Sequence, residues 1–202
     1  MMGMTEERAA QIMGRHNMIG ISYAEKLGMP SALRALREIP ATDRQLEEAV
    51  DTHVLIFTFP ISIARIVAKT RFRVLIEDGP DNSRGDCWLR RSLAVAEIGW
   101  HLIRKKPLAG SRGMTWEQQR ALVREGETIP RVETLVYAIV GQCLTNAEML
   151  FPRDEIRCTH RNQRDCIGVK HEGGLRLLPG FPDFRDEEIV VTSSKKLVPA
   201  NF

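Results

Sequence analysis

Residues 155–170 read Glu155-Ile156-Arg157-Cys158-Thr159-His160-Arg161-Asn162-Gln163-Arg164-Asp165-Cys166-Ile167-Gly168-Val169-Lys170. Two short runs, 155–160 and 166–170, flank a polar centre, which is the pattern of a β-hairpin. Further short runs follow at 175–178 and 188–192, between Gly, Pro and Asn punctuation. Upstream the period changes. Val132, Leu135, Val136, Ile139, Val140, Cys143, Ala147 and Leu150 recur with helical spacing, opened near Pro130 and closed by Pro152.

Working outward to the N-terminus, helical patterns dominate. Residues 5–27 carry one apolar stripe, with Gly28 as its stop. Pro30 opens a short helix to about residue 38, and Thr42 with Gln45 has capping-box spacing for a third. Pro60 breaks that helix, and a further one covers 63–68. Phe72, Val74 and Ile76 alternate with polar neighbours as in a strand, and 79–83 is a turn cluster. Leu89, Leu93, Ala96, Trp100 and Ile103 form a stripe that predicts a helix over 88–106, with His101 off the stripe and exposed. Thr115 and Gln118 cap the next helix, which Gly126 ends. The expected fold is α+β: a helix-rich N-terminal two-thirds packed on a small, mostly antiparallel C-terminal sheet. It forms one domain over 1–202, with a sub-boundary at 108–113.

Composition bounds the function classes. The 202 residues are 43% hydrophobic and 27% charged, ample for a packed core, so wholesale disorder is excluded. A net charge of +3 does not mark a nucleic-acid binder. The most apolar run, 54–67, contains Pro60 and Arg65 and falls short of the ~20 residues of a spanning helix. The start of the chain lacks a basic segment followed by an apolar one. Four cysteines without such a signal read as reduced thiols, so the expected location is cytoplasmic, with no membrane partner.

The densest reactive group is Cys158, His160 and Cys166. Strand parity puts Cys158 and His160 on one face, and a turn at 161–165 brings Cys166 to it. Three ligands with an open position suit a catalytic zinc, so Cys158, His160 and Cys166 are the candidate metal ligands and zinc the candidate cofactor. A metal-free alternative makes Cys166 a nucleophile with His160 as its base. Buried cysteines also pack simply as small hydrophobes. Cys87, just before a predicted helix start, is a second candidate nucleophile. Arg157 and Arg164 on the hairpin, Cys143 on the long helix and His16 on the first stripe are candidate ligand-binding residues. His16 reads equally as a core histidine, and so does His53. Glu77 and Asp78 end a strand beside a turn, where functional side chains collect.

The helix, the proline and the hairpin with Cys158 and Cys166, spanning 134–170, resemble the ligand-binding domains of the 4-vinyl-reductase type. The same stretch is similar to the aminothiazoline-carboxylate hydrolases, which also finish on a Cys-bearing hairpin. Arg164-Asp165-Cys166 stands where those families have a Gly-Asp turn before the second Cys. The resemblance implies a protein that handles a small molecule.

Together these readings predict a hydrolase or lyase, metal- or cysteine-assisted, that acts on a small anionic substrate, with a homo-oligomer among its expected partners. The alternative is a non-enzymatic sensor, or a helix-turn-helix module built from 117–140. In that module Arg131, Glu133, Thr134 and Tyr137 form the exposed face of the second helix, and only Arg131 is a strong partner for nucleic acid.

Overall fold

The computed structural model describes residues 3–76, 95–160, 162–172, 174–179 and 183–198, with side chains for all of these except 76, 160, 162–166 and 179. The helices among them are α1 (Glu6–Met13), α2 (Ile21–Lys26), α3 (Asp43–Glu47), α4 (Ile63–Thr70), α5 (Trp116–Ala121) and α6 (Val132–Asn146). The strands are β1 (Met18–Ile19), β2 (His53–Thr58), β3 (Val74–Ile76), β4 (Gly99–Arg104), β5 (Glu155–His160), β6 (Asn162–His171), β7 (Leu175–Pro179), β8 (Ile189–Val191) and β9 (Ser194–Leu197). They form a four-stranded sheet, β1-β2-β4-β9, and a five-stranded sheet, β3-β7-β6-β5-β8.

This overturns the expected architecture of a helix-rich N-terminal two-thirds on one mostly antiparallel C-terminal sheet. There are two sheets, and both are mixed: β1 with β2, β3 with β7 and β5 with β8 are parallel pairs. Strands β1 to β4 all lie before residue 105, and the helices among them are short. The α+β class itself stands.

The errors share a physical cause. In β2, residues 54–58 are all buried, so both faces of the strand are apolar and period two disappears. The run then reads as buried helix. In β4, Trp100-His101-Leu102-Ile103 is likewise buried throughout, and its apolar residues fall on helical spacing by coincidence. The part of the predicted 88–106 helix that precedes residue 95 lies outside the described residues. The predicted 5–27 helix is interrupted by a turn at Arg15–Asn17 and by β1, with Gly14 at φ 76 in the break. There the left-handed backbone favours glycine.

Local signals carried elsewhere. Thr42 with Gln45 and Thr115 with Gln118 each form a reciprocal capping box. Strands β5, β7 and β8 fall where the short C-terminal runs predicted them, whereas β6 begins at Asn162, so strand occupies most of the predicted 161–165 turn.

Helix α6 is the hub. Residues 132–142 are all buried, and the helix packs against β1 and β2 of one sheet and β5 and β6 of the other. A helix covered on every side must be apolar on every side, as this one largely is. Gly141 permits the closest approach: a Cβ there would stand 2.9 Å from Ile19 Cδ1 and 3.1 Å from Tyr23 Cε1. Among the described residues no helix is long and apolar enough to cross a membrane.

Candidate functional site

The segment 127–131 ties the two sheets together. On one side Thr128 and Ser194 exchange backbone hydrogen bonds of 2.8 and 2.7 Å, which clips the segment to β9. On the other, the Thr159 N–H donates to the Pro130 carbonyl at 3.1 Å, which clips it to β5. Helix α6 starts immediately afterwards, with Arg131 as its N-cap residue and no side-chain cap on its first turn. A cleft of about 430 Å³ opens here, walled by β4, β9, the tip of β5, the 127–131 segment and the start of α6.

His101 lies in its wall. The side chain is 4% exposed, and Nε2 has no hydrogen-bond partner among the described residues. Its β9 partner in the ladder is Lys196, so both share a sheet face and both line the cleft. Burial pushes the imidazole pKa down to about 4, and the Lys196 ammonium pushes the same way against Glu97. The ring is therefore neutral at pH 7. The Glu97 backbone carbonyl accepts from the ring, which leaves the proton on Nδ1 and makes Nε2 an acceptor.

The charged groups around the cleft are partly paired. Lys196 Nζ lies 3.2 Å from Glu97 Oε2, Arg131 Nε 3.4 Å from the buried Glu133 Oε2, and Glu127 Oε1 3.8 Å from an Arg104 nitrogen. Arg120, Arg131 and Lys196 against Glu97 and Glu127 leave the wall with an excess of one positive charge. The uncapped start of α6 adds the positive end of a helix dipole. Such a wall suits an anion.

The residues singled out from the sequence are dispersed. Cys158 is fully buried in the main core, with Sγ 3.6 Å from the Ile156 carbonyl. Cys143 is half-buried on α6, nine residues past Thr134 and so about 13 Å further along the axis from the cleft. Arg157 does not present a basic face. It is 1% exposed and donates to Gln119 Oε1 at 3.1 Å and to the carbonyls of Met114 and Phe184, tying β5 to α5 and to the 184 segment. His16 is exposed rather than core, and its carbonyl accepts from Gln142 Nε2 at 2.6 Å. His53 is half-buried, its pKa lowered by burial and by Arg104.

The hairpin register pairs Ile167 with Cys158 and Cys166 with Thr159, with an irregularity between Thr159 and His160. Side chains of His160, Arg164 and Cys166 lie outside the described residues, as do Cys87, Glu77 and Asp78 altogether. Among the described residues no group of three or more His, Cys, Asp or Glu side chains is placed to hold a metal ion. In the helix-turn-helix alternative Glu133, Thr134 and Tyr137 would face a groove; they are 1%, 3% and 0% exposed, so α6 offers that face to the core instead.

The cleft-lining residue whose setting the sequence did not reveal is His101, expected to be exposed and found buried. One signal pointed to it. Gly99 and the Lys105-Lys106-Pro107 group bound an apolar run too short for a helix, and a histidine inside such a strand demands a partner. No protein-family model, curated protein or solved structure matches this chain.

Proposed function

We propose that this chain binds a small organic anion, a carboxylate or a phosphate, in the cleft at the start of α6. The observation that carries the reading is the uncapped first turn of α6 opening on a wall that holds Arg131 and Lys196. Backbone N–H groups at a helix start are unsatisfied donors, and the dipole there favours negative charge. Arg131 is only 3.4 Å from Glu133, so its fork is already held in place and little side-chain freedom is lost on binding. The cleft volume is that of a small-molecule site.

The test is a thermal-shift and NMR titration with acetate, citrate and inorganic phosphate, each balanced to constant ionic strength with chloride. At least one of these anions should stabilise the protein saturably beyond chloride. The Arg131→Ala variant should bind it about tenfold more weakly, the worth of a charge-assisted pair. If none of them exceeds chloride, the anion reading is wrong.

A further inference from the structure

The first turn of α6 narrows the choice of anion. Among the described residues four hydroxyls line the cleft, those of Thr128, Thr134, Thr159 and Ser194. Three are already engaged: Thr128 and Ser194 bond to each other at 3.3 Å, and Thr159 donates to the Pro130 carbonyl at 3.3 Å. The fourth, on Thr134 in the third position of the helix, has no hydrogen-bond partner among the described residues. A threonine inside a helix commonly bonds back to the carbonyl four residues earlier. Here that carbonyl is Pro130's, and Thr159 takes both of its lone pairs, through its N–H at 3.1 Å and its hydroxyl. Thr134 is 3% exposed, yet it borders the cleft and its oxygen is not sealed off. A hydroxyl so deeply buried is costly to leave unmet, and what reaches it must come from the cleft.

We propose that the ligand is a phosphate monoester: its phosphoryl group lies at the start of α6, and one oxygen accepts the hydrogen of the Thr134 hydroxyl. The proposal rests on the anion reading above and chooses between the two anions that reading allows. The N–H groups of a first turn point off the helix end along its axis, while a side chain at the third position leaves sideways and leans towards that end. Donors therefore converge from more than one plane. A carboxylate accepts best near its own plane, whereas a phosphoryl group spreads three strong acceptor oxygens around a tetrahedron. Arg131 is the N-cap, and N-cap and third-position side chains lie together over the helix end, as they do in a capping box. Its planar fork matches phosphate geometry. Glu133, 3.4 Å from Arg131 Nε, does not line the cleft. The two carboxylates that do each face a cation, Glu97 with Lys196 at 3.2 Å and Glu127 with Arg104 at 3.8 Å, so neither stands as a bare charge against a dianion. Val123, Ile129 and Pro130 supply apolar wall for the organic group of the ester.

Methyl phosphate and acetate, titrated by NMR into the whole chain at pH 7.5 and constant ionic strength, give the test. A phosphate monoester has its second pKa at about 6 and is mostly a dianion there, so charge alone favours it; substitution of the threonine separates geometry from charge. Methyl phosphate should bind the natural chain at least about tenfold tighter than acetate. In Thr134→Val, which removes the hydroxyl and keeps the branched shape, methyl phosphate should weaken about tenfold and acetate less than about twofold. Thr134→Ser, which keeps the hydroxyl, should bind methyl phosphate within about threefold of the natural chain. The comparison of the two anions on the natural chain does not depend on the folding of either variant. Equal affinities, with measurable binding, overturn the phosphate assignment and leave the anion reading intact. A preference that survives Thr134→Val unchanged also overturns it, since charge alone would then account for it, and so does equal weakening of both anions. Binding of neither overturns both readings.

Discussion

Acidification should remove stability through His101, and the size of the effect follows from its burial. The side chain is 4% exposed, and its pKa lies at about 4 against an ordinary 6.5. Between those two values the unfolded chain takes up a proton on this ring that the folded chain refuses. The contribution is therefore intact above the unfolded value and declines as the pH falls from about 6.5 towards about 4. At about 1.4 kcal/mol per pH unit, a gap of this size costs on the order of 3 kcal/mol in full, and most of it is gone by pH 4.5. His53, lowered by burial, acts in the same sense. Glu6 and Glu155, whose carboxyls burial raises, act in the opposite one. A single substitution separates these effects. Urea unfolding of the natural chain and of His101→Phe, at pH 7.5, 6.5, 5.5 and 4.5, should show the natural chain losing about 2 to 3 kcal/mol more than the variant. Parallel pH profiles would refute the burial of a neutral imidazole at this position.

Two further perturbations test the core around the site. Gly141→Val places a branched side chain where a Cβ alone would already stand 2.9 Å from Ile19 Cδ1; it should cost about 1 to 3 kcal/mol in chemical unfolding, and an unchanged midpoint would contradict the packing of α6 on β1. Cys158→Ser buries a hydroxyl in an apolar cluster and should cost about 1 to 3 kcal/mol, whereas Cys143→Ser at its half-buried position should stay within about 0.5 kcal/mol. In the folded protein a thiol reagent should also modify Cys143 well before Cys158.

The parts of the fold that could be read were those governed by local chemistry. Thr42 with Gln45 and Thr115 with Gln118 satisfy helix-start donors within four residues, so the capping boxes are legible in the sequence alone. The same holds for β5, where Glu155–His160 sits between clear punctuation. What failed was the central sheet. Strands β2 and β4 pair with each other over six residues, from His53 with Arg104 to Thr58 with Gly99, and each is covered on both faces. Tertiary burial erases the alternation that marks a half-exposed strand, and no nearby residue restores it. The stripe from Leu89 to Ile103 then favoured helix, although Gly99 sits inside it.

The site was hidden for a related reason, since nothing in it is local. His101 on β4 meets Lys196 on β9 only through ladder register, across a gap of ninety-five positions in the chain. Thr128 reaches Ser194, and Pro130 reaches Thr159, through backbone bonds that no side-chain pattern announces. The reactive residues that lie close together in the chain are Cys158, His160 and Cys166 instead. Proximity in the chain is a good guide where one loop holds the chemistry, as in a zinc ribbon. It is a poor guide where a helix start supplies the binding field, because the donors are then backbone groups common to every sequence. The informative residue in that case is the one whose chemistry does not fit its surroundings. A histidine in the buried centre of a strand, neutral and with Nε2 unpaired among the described residues, is such a residue. Its neutrality in the wall leaves the charge of the cleft to Arg120, Arg131 and Lys196 against Glu97 and Glu127, which is why the anion should be sought at the start of α6.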